Sequence, residues 1–192
     1  MKKVPFILLL LLAFGVRGQT ILKLDGNSEL SVSGTSTLHD WTIVAEELSG
    51  KAKFEITDGT LLSVSELSIK VKTTEIKSGK SGMDNNTFKA LKSDKHPYIT
   101  FALSAAGATK SGSKYVIKSA GNLSVAGVTK PVVFTATCVL NANSVGCEGS
   151  YAMKMTDFDV EPPTAMFGTI KTGNEITIDF NVKFENSELS KL

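Results

Sequence analysis

Apolar and polar residues alternate without a break from residue 175 to residue 185. The apolar positions of this stretch are Ile176, Ile178, Phe180, Val182 and Phe184. Because successive side chains of a strand point to opposite faces, the stretch has one apolar face and one polar face along its whole length. Such a pattern is typical of an antiparallel sheet that buries one face and exposes the other to water. The alternation therefore predicts a long antiparallel strand.

The same period of two recurs through most of the chain and predicts further strands. The alternating segments lie near residues 21–34, 41–44, 51–56, 67–73, 99–105, 115–118, 132–140 and 147–155. From Met83 to Lys92 the pattern changes, since Phe88 and Leu91 fall three apart and Ser81 or Asp84 can cap a helix. About eight strands, one short helix and no second domain predict an all-β fold, a single antiparallel barrel.

The two cysteines flank a predicted tight turn at Ala142-Asn143. With a two-residue loop there, Cys138 falls opposite Cys147, and Phe134 falls opposite Tyr151. The Cα atoms of a non-hydrogen-bonded antiparallel pair approach to ~4.5 Å, and disulfides span roughly 4.4–6.8 Å between Cα atoms. The register therefore favours a disulfide, with two reduced cysteines in the core as the alternative.

The first residues have the features of a signal peptide. Two lysines precede an apolar run from Val4 to Phe14, and Val16 and Gly18 stand as small residues two apart. The run is too short for a bilayer span, which needs ~20 residues. We predict a periplasmic or secreted protein, in a compartment where disulfides persist. The predicted divisions are a signal peptide at 1–18, a barrel domain at 19–186 and a polar tail at 187–192.

Removal of the signal peptide changes the charge of the protein. The full chain has 21 basic and 19 acidic side chains; loss of Lys2, Lys3 and Arg17 leaves 18 basic ones, so the formal net charge falls from +2 to −1. No basic excess remains to bind nucleic acid, for which electrostatic attraction supplies most of the affinity. We therefore expect no nucleic-acid partner, and no integral membrane segment after processing.

Three stretches of the chain resemble the YceI-like family. They are the helix and following strand at 88–101, the strand, Gly-Val-Thr-Lys-Pro turn and strand at 121–133, and Thr156-Asp-Phe158 followed by residues 173–178. The resemblance covers about Leu24 to Phe184 and implies an exported, lipocalin-like barrel associated with polyisoprenoid binding. The chain departs from the family at Met155 or Thr156, where arginine is common, and at Asp159, where glycine is common.

The resemblance makes the apolar strand faces candidate walls of a lipid-binding cavity. We expect its mouth near the helical residues 88–91 or the loop residues 166–167, and an isoprenoid or other long-chain lipid as its occupant. No cofactor is expected. The candidate ligand-binding residues are Phe54, Ile69, Val71, Phe88, Leu91, Phe101, Phe134, Tyr151, Met153, Met166, Phe167, Phe180 and Phe184.

Two other classes of function remain as alternatives to lipid binding. One is a structural or stress-related envelope protein whose interior is filled, since apolar strand faces build cores in every β protein. The other, less favoured, is an enzyme that acts on a lipid-like substrate through His39 and Asp40. Adjacent strand residues point to opposite faces, so the sequence favours a turn aspartate and a packed Trp41 instead.

The histidines and cysteines form no recognisable metal-binding set. His39 and His96 lie far apart, His96 directly precedes Pro97 as a loop residue would, and the cysteines are better explained by the hairpin. We therefore predict no catalytic residue, no metal site and no enzymatic activity. The sequence leaves open whether the protein is a monomer or a homodimer.

Overall fold

The computed structural model describes residues 18–186, and these residues fold mainly into β-sheet. The predicted signal peptide, apart from Gly18, and the predicted tail at 187–192 lie outside the described residues. The strands are β1 (Gly18–Leu24), β2 (Glu29–Ser36), β3 (Trp41–Ala45), β4 (Leu48–Thr57), β5 (Thr60–Lys72), β6 (Ile76–Lys77), β7 (Tyr98–Ser111), β8 (Lys114–Val125), β9 (Val128–Leu140), β10 (Ser144–Lys154), β11 (Thr164–Ala165) and β12 (Ile170–Glu185). The helical elements are α1 (Ser81–Ala90) and three 3₁₀ turns, η1 (Thr73–Glu75), η2 (Met155–Phe158) and η3 (Met166–Gly168).

Eight strands close into an antiparallel ring. Their order is β1-β4-β5-β7-β8-β9-β10-β12, and β12 pairs back with β1 to complete the circle. Closure provides each strand of the ring with a hydrogen-bonded neighbour on both sides, which removes the exposed edges of an open sheet. The predicted antiparallel barrel of about eight strands with one short helix is confirmed.

Strand β12 changes its partner along its length. Near its end Phe184 pairs with Leu24 of β1, whereas Ile178 pairs with Val32 of β2. Strand β2 continues the sheet into β3 and β6, so this side of the barrel has a second, branching wall. The predicted alternation is present in β12. Val182 and Phe184 are buried, whereas Lys183 between them is exposed and Glu185 after them is half-buried.

The helix begins two residues earlier than the sequence pattern predicts, and neither predicted cap is used. Ser81 is already helical, and the N-cap residue is Lys80, which makes no side-chain capping hydrogen bond. The Asp84 carboxylate instead accepts hydrogen bonds from the backbone N–H of Ser78 at 2.7 Å and from its hydroxyl at 2.6 Å. Gly79 has a φ of 76° and bends the chain so that Ser78 lies over the first helical turn.

Candidate functional site

The end of the barrel that carries the cysteines is filled by side chains. Cys138 and Val145 are fully buried there, and Phe54 packs edge-on against Phe184 with ring centroids 5.7 Å apart. The prediction that Phe54 and Phe184 line the cavity is therefore wrong, because their rings occupy the space between the strands at this filled end. Both residues are buried as predicted, but they lie below the apolar cavity described next and do not line it.

The hairpin of β9 and β10 has the predicted register. Cys138 lies directly opposite Cys147, their Cα atoms are 4.1 Å apart, and the two residues form a disulfide. The backbone N–H of Asn141 donates to the carbonyl oxygen of Ser144 at 2.8 Å, which closes the two-residue turn. The disulfide is confirmed, and the alternative of two reduced cysteines does not hold.

Four aromatic residues separate the filled end from the rest of the interior. The ring of Phe134 lies at their centre, with centroid distances of 5.3 Å to Phe101, 5.6 Å to Phe180 and 6.4 Å to Tyr151. The contacts with Phe101 and Phe180 are edge-to-face, the geometry that the aromatic quadrupole favours. We call these four residues the aromatic floor.

Two glycines let the rings of the aromatic floor lie against the sheet. A Cβ atom on Gly149 would stand 2.5 Å from the Phe180 ring and 2.9 Å from the Thr135 carbonyl oxygen. A Cβ atom on Gly121 would overlap the ring of Phe101. Any other residue at these positions would push a ring away from its strand and into the space above the floor.

Above the aromatic floor the barrel contains a cavity of about 510 Å³. This volume lies within the range of roughly 300–1,000 Å³ typical of small-molecule sites. Its lining is almost entirely apolar, and Lys80 is the one fully charged side chain among the described residues that line it. Seven of the predicted residues line the cavity: Val71, Leu91, Phe101, Phe134, Tyr151, Met153 and Phe180.

The mouth of the cavity lies between α1 and the segment that follows η2. Leu38, His39, Lys80 and Thr164 line the cavity and are also exposed to solvent, so they mark where it opens. This position agrees with the predicted mouth, which the sequence placed near the helix or the loop at 166–167. The helix contributes a stripe of residues spaced for one face, namely Met83, Asn86, Thr87 and Ala90.

Two predicted lining residues, Phe88 and Ile69, are half-buried outside the cavity. Phe88 follows Thr87 by one position, which rotates it by about 100° from the cavity-facing stripe of α1, and it does not line the cavity. Ile69 of β5 packs over Gly50 of β4, where a Cβ atom would stand 2.8 Å from its Cδ1 atom. Their placement in the lining is therefore wrong.

Met166 and Phe167 are turned away from the cavity. Met166 is 69% exposed and Phe167 is fully exposed. Both residues adopt left-handed backbone conformations, with φ angles of 50° and 55°. The prediction that they line the cavity is wrong, because this backbone geometry directs both side chains out of the barrel. The adjacent Ala165 lines the cavity instead.

Several lining residues were not among the candidates. Trp41 of β3 lines the cavity, and its indole N–H donates to the carbonyl oxygen of Thr35 at 2.9 Å. The sequence predicts a packed Trp41 but not its place in a cavity wall, although Leu30, Val32, Trp41 and Ile43 do show the alternation of two neighbouring strands. Other lining residues that were not candidates lie on η2 and just after it, on β12, and on β7, β8 and β9, for example Met155, Phe158, Val160, Ile176, Ile178, Ile99, Leu123, Val125 and Val132.

The histidines have structural partners. Nδ1 of His39 lies 2.6 Å from the backbone carbonyl oxygen of Asp40, so its hydrogen bond does not run to the carboxylate. The ring of His96 lies against Gly127, whose missing Cβ atom leaves it room. Within residues 18–186 no cluster of three histidine, cysteine or acidic residues is placed to bind a metal ion. The same residues contain no helix with the length and apolar character that a membrane span requires.

Ion pairs join β6 to η1 and to the residue after β3, in the segment that precedes α1. The Nζ atom of Lys77 lies 2.8 Å from a Glu75 carboxylate oxygen and 2.9 Å from one of Glu46. These contacts raise the pKa of Lys77, and the hydrogen bond from Lys77 lowers the pKa of Glu75. The hydrogen bonds from Ser78 likewise lower the pKa of Asp84. These contacts fix the segments that lead into α1, and none of the residues that make them lines the cavity.

Comparison with known proteins identifies the family. The model of the YceI-like domain matches residues 24–184, which is most of the chain. The chain belongs to the YceI-like family. Asp159, one of the positions at which the sequence departs from the resemblance, has a φ of 54°, a conformation that glycine adopts without steric cost. No curated protein sequence matches this YceI-like chain.

Solved structures share the YceI-like fold with this chain. BcnA from Burkholderia cenocepacia has a TM-score of 0.68 at 18% identity, over 83% of this chain and 98% of BcnA. A polyisoprenoid-binding domain from Saccharophagus degradans, implicated in plant cell wall breakdown, has a TM-score of 0.67 at 13% identity, over 85% of this chain and 97% of that domain. A YceI protein from Campylobacter jejuni has a TM-score of 0.59 at 20% identity, over 74% and 83%. At these identities the likeness concerns the fold.

Proposed function

We propose that this YceI-like protein binds an isoprenoid or similar long-chain lipid in the cavity above the aromatic floor. The observation that carries the proposal is the cavity itself, about 510 Å³ in volume, walled by apolar side chains and open at one end. A barrel whose only task were structural would gain stability by filling this space, as it does at the disulfide end. The unfilled half is therefore a space for a ligand.

The chemistry of the walls selects the class of ligand. Burial of apolar surface is favourable by about 25 cal/mol per Å². A lipid that buries some hundreds of Å² would gain on the order of 10 kcal/mol before the cost of association. The few polar groups of the lining, such as Ser36, His39 and Lys80, lie toward the mouth. The tail of an amphiphile would thus occupy the interior, with its polar end at the mouth.

Two further observations support the proposal. One solved structure that shares the fold of this chain is described as a polyisoprenoid-binding domain. The Cys138–Cys147 disulfide is the kind of bond that persists in oxidising compartments, in agreement with export by the predicted signal peptide. We therefore propose a periplasmic or secreted lipid-binding protein that is not an enzyme.

Trp41 provides a direct test, because it is the single tryptophan of the chain and lines the cavity. Delipidated protein is titrated with geranylgeraniol while tryptophan fluorescence is followed, and native mass spectrometry of the purified protein records any lipid that it already carries. We expect a saturable fluorescence change and a lipid-sized mass. Trp41→Phe serves as the control, since it should abolish the fluorescence change and keep the added mass. An apo mass together with no response to geranylgeraniol would refute the proposal and favour the structural alternative.

A further inference from the structure

Three large apolar side chains stand exposed beside the mouth of the cavity. Leu38 is 66% exposed, Met166 is 69% exposed and Phe167 is fully exposed. Exposed apolar residues scattered singly over a surface are ordinary, but a group of them beside a ligand entrance calls for a partner. We call these three residues the apolar rim.

Hydrogen bonds hold the two segments of the apolar rim together. The Thr37 backbone N–H donates to the Lys171 carbonyl oxygen at 3.0 Å, and the Lys171 N–H donates to the Thr37 hydroxyl at 3.1 Å. The Ser36 hydroxyl oxygen accepts the backbone N–H groups of Leu38 and His39, which fixes the turn that presents Leu38. The rim is therefore a built surface rather than two loose loops.

The backbone of η3 also keeps its apolar side chains outside. Met166 and Phe167 are consecutive non-glycine residues with positive φ, a region that large side chains seldom adopt. Such conformations are strained and persist only where the surrounding structure enforces them. The fold thus maintains a strained turn whose effect is to expose a methionine and a phenylalanine.

We infer that the apolar rim inserts into the outer layer of a lipid bilayer, so that the cavity mouth faces the membrane. This inference rests on the proposed lipid-binding function. Leu38 lines the cavity as well as the rim, and Ala165 lines it directly before Met166, so the rim is continuous with the path of a ligand. A lipid could then pass between bilayer and cavity without crossing water.

The size and charge of the rim favour a bilayer over a protein partner. Three side chains of this kind expose on the order of 400 Å², whereas a stable protein interface buries about 800 Å² on each partner. Residues 36–40 and 163–171 carry one acidic residue, Asp40, and one basic residue, Lys171, so no field of one sign selects a charged peptide. Apolar insertion into an interface needs only a few side chains, each gaining through its buried methylene groups.

The test compares a rim variant with a matched wall variant of the full mature protein. The rim variant carries Met166→Asn and Phe167→Asn, because asparagine tolerates positive φ and should preserve the turn. The wall variant carries Ile21→Thr and Val133→Thr, which remove two apolar residues that are 60% and 53% exposed and do not line the cavity. Binding to uncharged phosphatidylcholine vesicles is measured by sedimentation, and lipid content by native mass spectrometry.

We expect the rim variant to lose more than about tenfold in vesicle partitioning and the wall variant less than about twofold. Lipid content should stay unchanged in both, since none of the substituted residues lines the cavity. Equal vesicle binding by the two variants, or none by the parent protein, would overturn the inference. So would a dimer that the rim substitutions dissociate while vesicle binding stays absent. Rim-dependent vesicle binding by a protein that carries no lipid would instead support docking and refute the proposed lipid cavity.

Discussion

Replacing one valine with phenylalanine in each half of the barrel tests whether that half contains a cavity or a filled core. Val32 of β2 lines the cavity, whereas Val145 of β10 is fully buried in the filled end. The same change, Val32→Phe or Val145→Phe, therefore adds a phenyl ring to empty space in one case and to occupied space in the other. The pair is matched in residue type, in substitution and in strand context.

The two substitutions should affect different quantities. Overpacking at Val145 should cost about 1–3 kcal/mol of unfolding free energy, which lowers Tm by roughly 2–12 °C in a domain of this size. The ring at position 32 should leave the Tm of the delipidated protein nearly unchanged. It should displace roughly 60–100 Å² of ligand contact, worth about 1.5–2.5 kcal/mol, and so raise the Kd by roughly 10- to 60-fold.

Both quantities can be measured on the same samples. Differential scanning calorimetry provides Tm for the delipidated proteins, and the Trp41 fluorescence titration with geranylgeraniol provides Kd. The claim that Val32 lines an empty ligand cavity is refuted if Val32→Phe lowers Tm as much as Val145→Phe does and leaves the Kd unchanged. Position 32 would then behave as part of a solid core in solution.

Two further outcomes follow from the hairpin and from the start of α1. Thiol counting on the unreduced, unfolded protein should find no free thiol. Replacing Cys138 and Cys147 with alanine should lower the free energy of unfolding, measured in urea, by roughly 2.5 kcal/mol for a loop of this length. A detectable thiol in the unreduced protein, or unchanged stability in the variant, would contradict this prediction. The pKa of Asp84 is lowered by its bonds from Ser78, so their stabilisation is complete above the ordinary value of 3.8 and is lost as pH falls through the lower folded value. Amide hydrogen exchange in α1 should therefore speed up as the pH falls below the folded pKa of Asp84, and the Asp84→Asn variant should exchange fast already at neutral pH. Slow exchange in the variant at pH 7 would show that the hydrogen bonds from Ser78 to Asp84 do not stabilise the helix.

The interior positions illustrate how far alternation can be used. Phe180 and Phe184 lie on the same face of the same strand, and the sequence treats them alike. In the structure Phe180 belongs to the aromatic floor, while Phe184 packs with Phe54 in the filled end. A period of two distinguishes inward from outward. It contains no information about the level along the barrel axis at which the walls separate.

The mouth shows the same limit at a smaller scale. Met166 and Phe167 were predicted to line the cavity near its mouth, but in this loop the adjacent Ala165 lines it instead. Met166 and Phe167 adopt positive φ and point outward, a choice that depends on how η3 is held between β11 and β12. Trp41 was missed as a wall residue because its role depends on β3 joining the sheet through β2, a pairing between segments.

Local chemistry along the sequence was sufficient to predict most of the strands, the helix, the hairpin register with its disulfide, and the family. Each of these depends on side-chain periodicity, turn chemistry or short motifs, which act over a few residues. The tertiary structure alone decided where the barrel is empty. That outcome depends on β12 pairing with β1 at one end and with β2 further back, so that the walls meet around Phe54 and Phe184 and diverge above Phe134. Long-range pairing of this kind sets the distance between facing walls, and that distance determines whether inward side chains fill the space or line it.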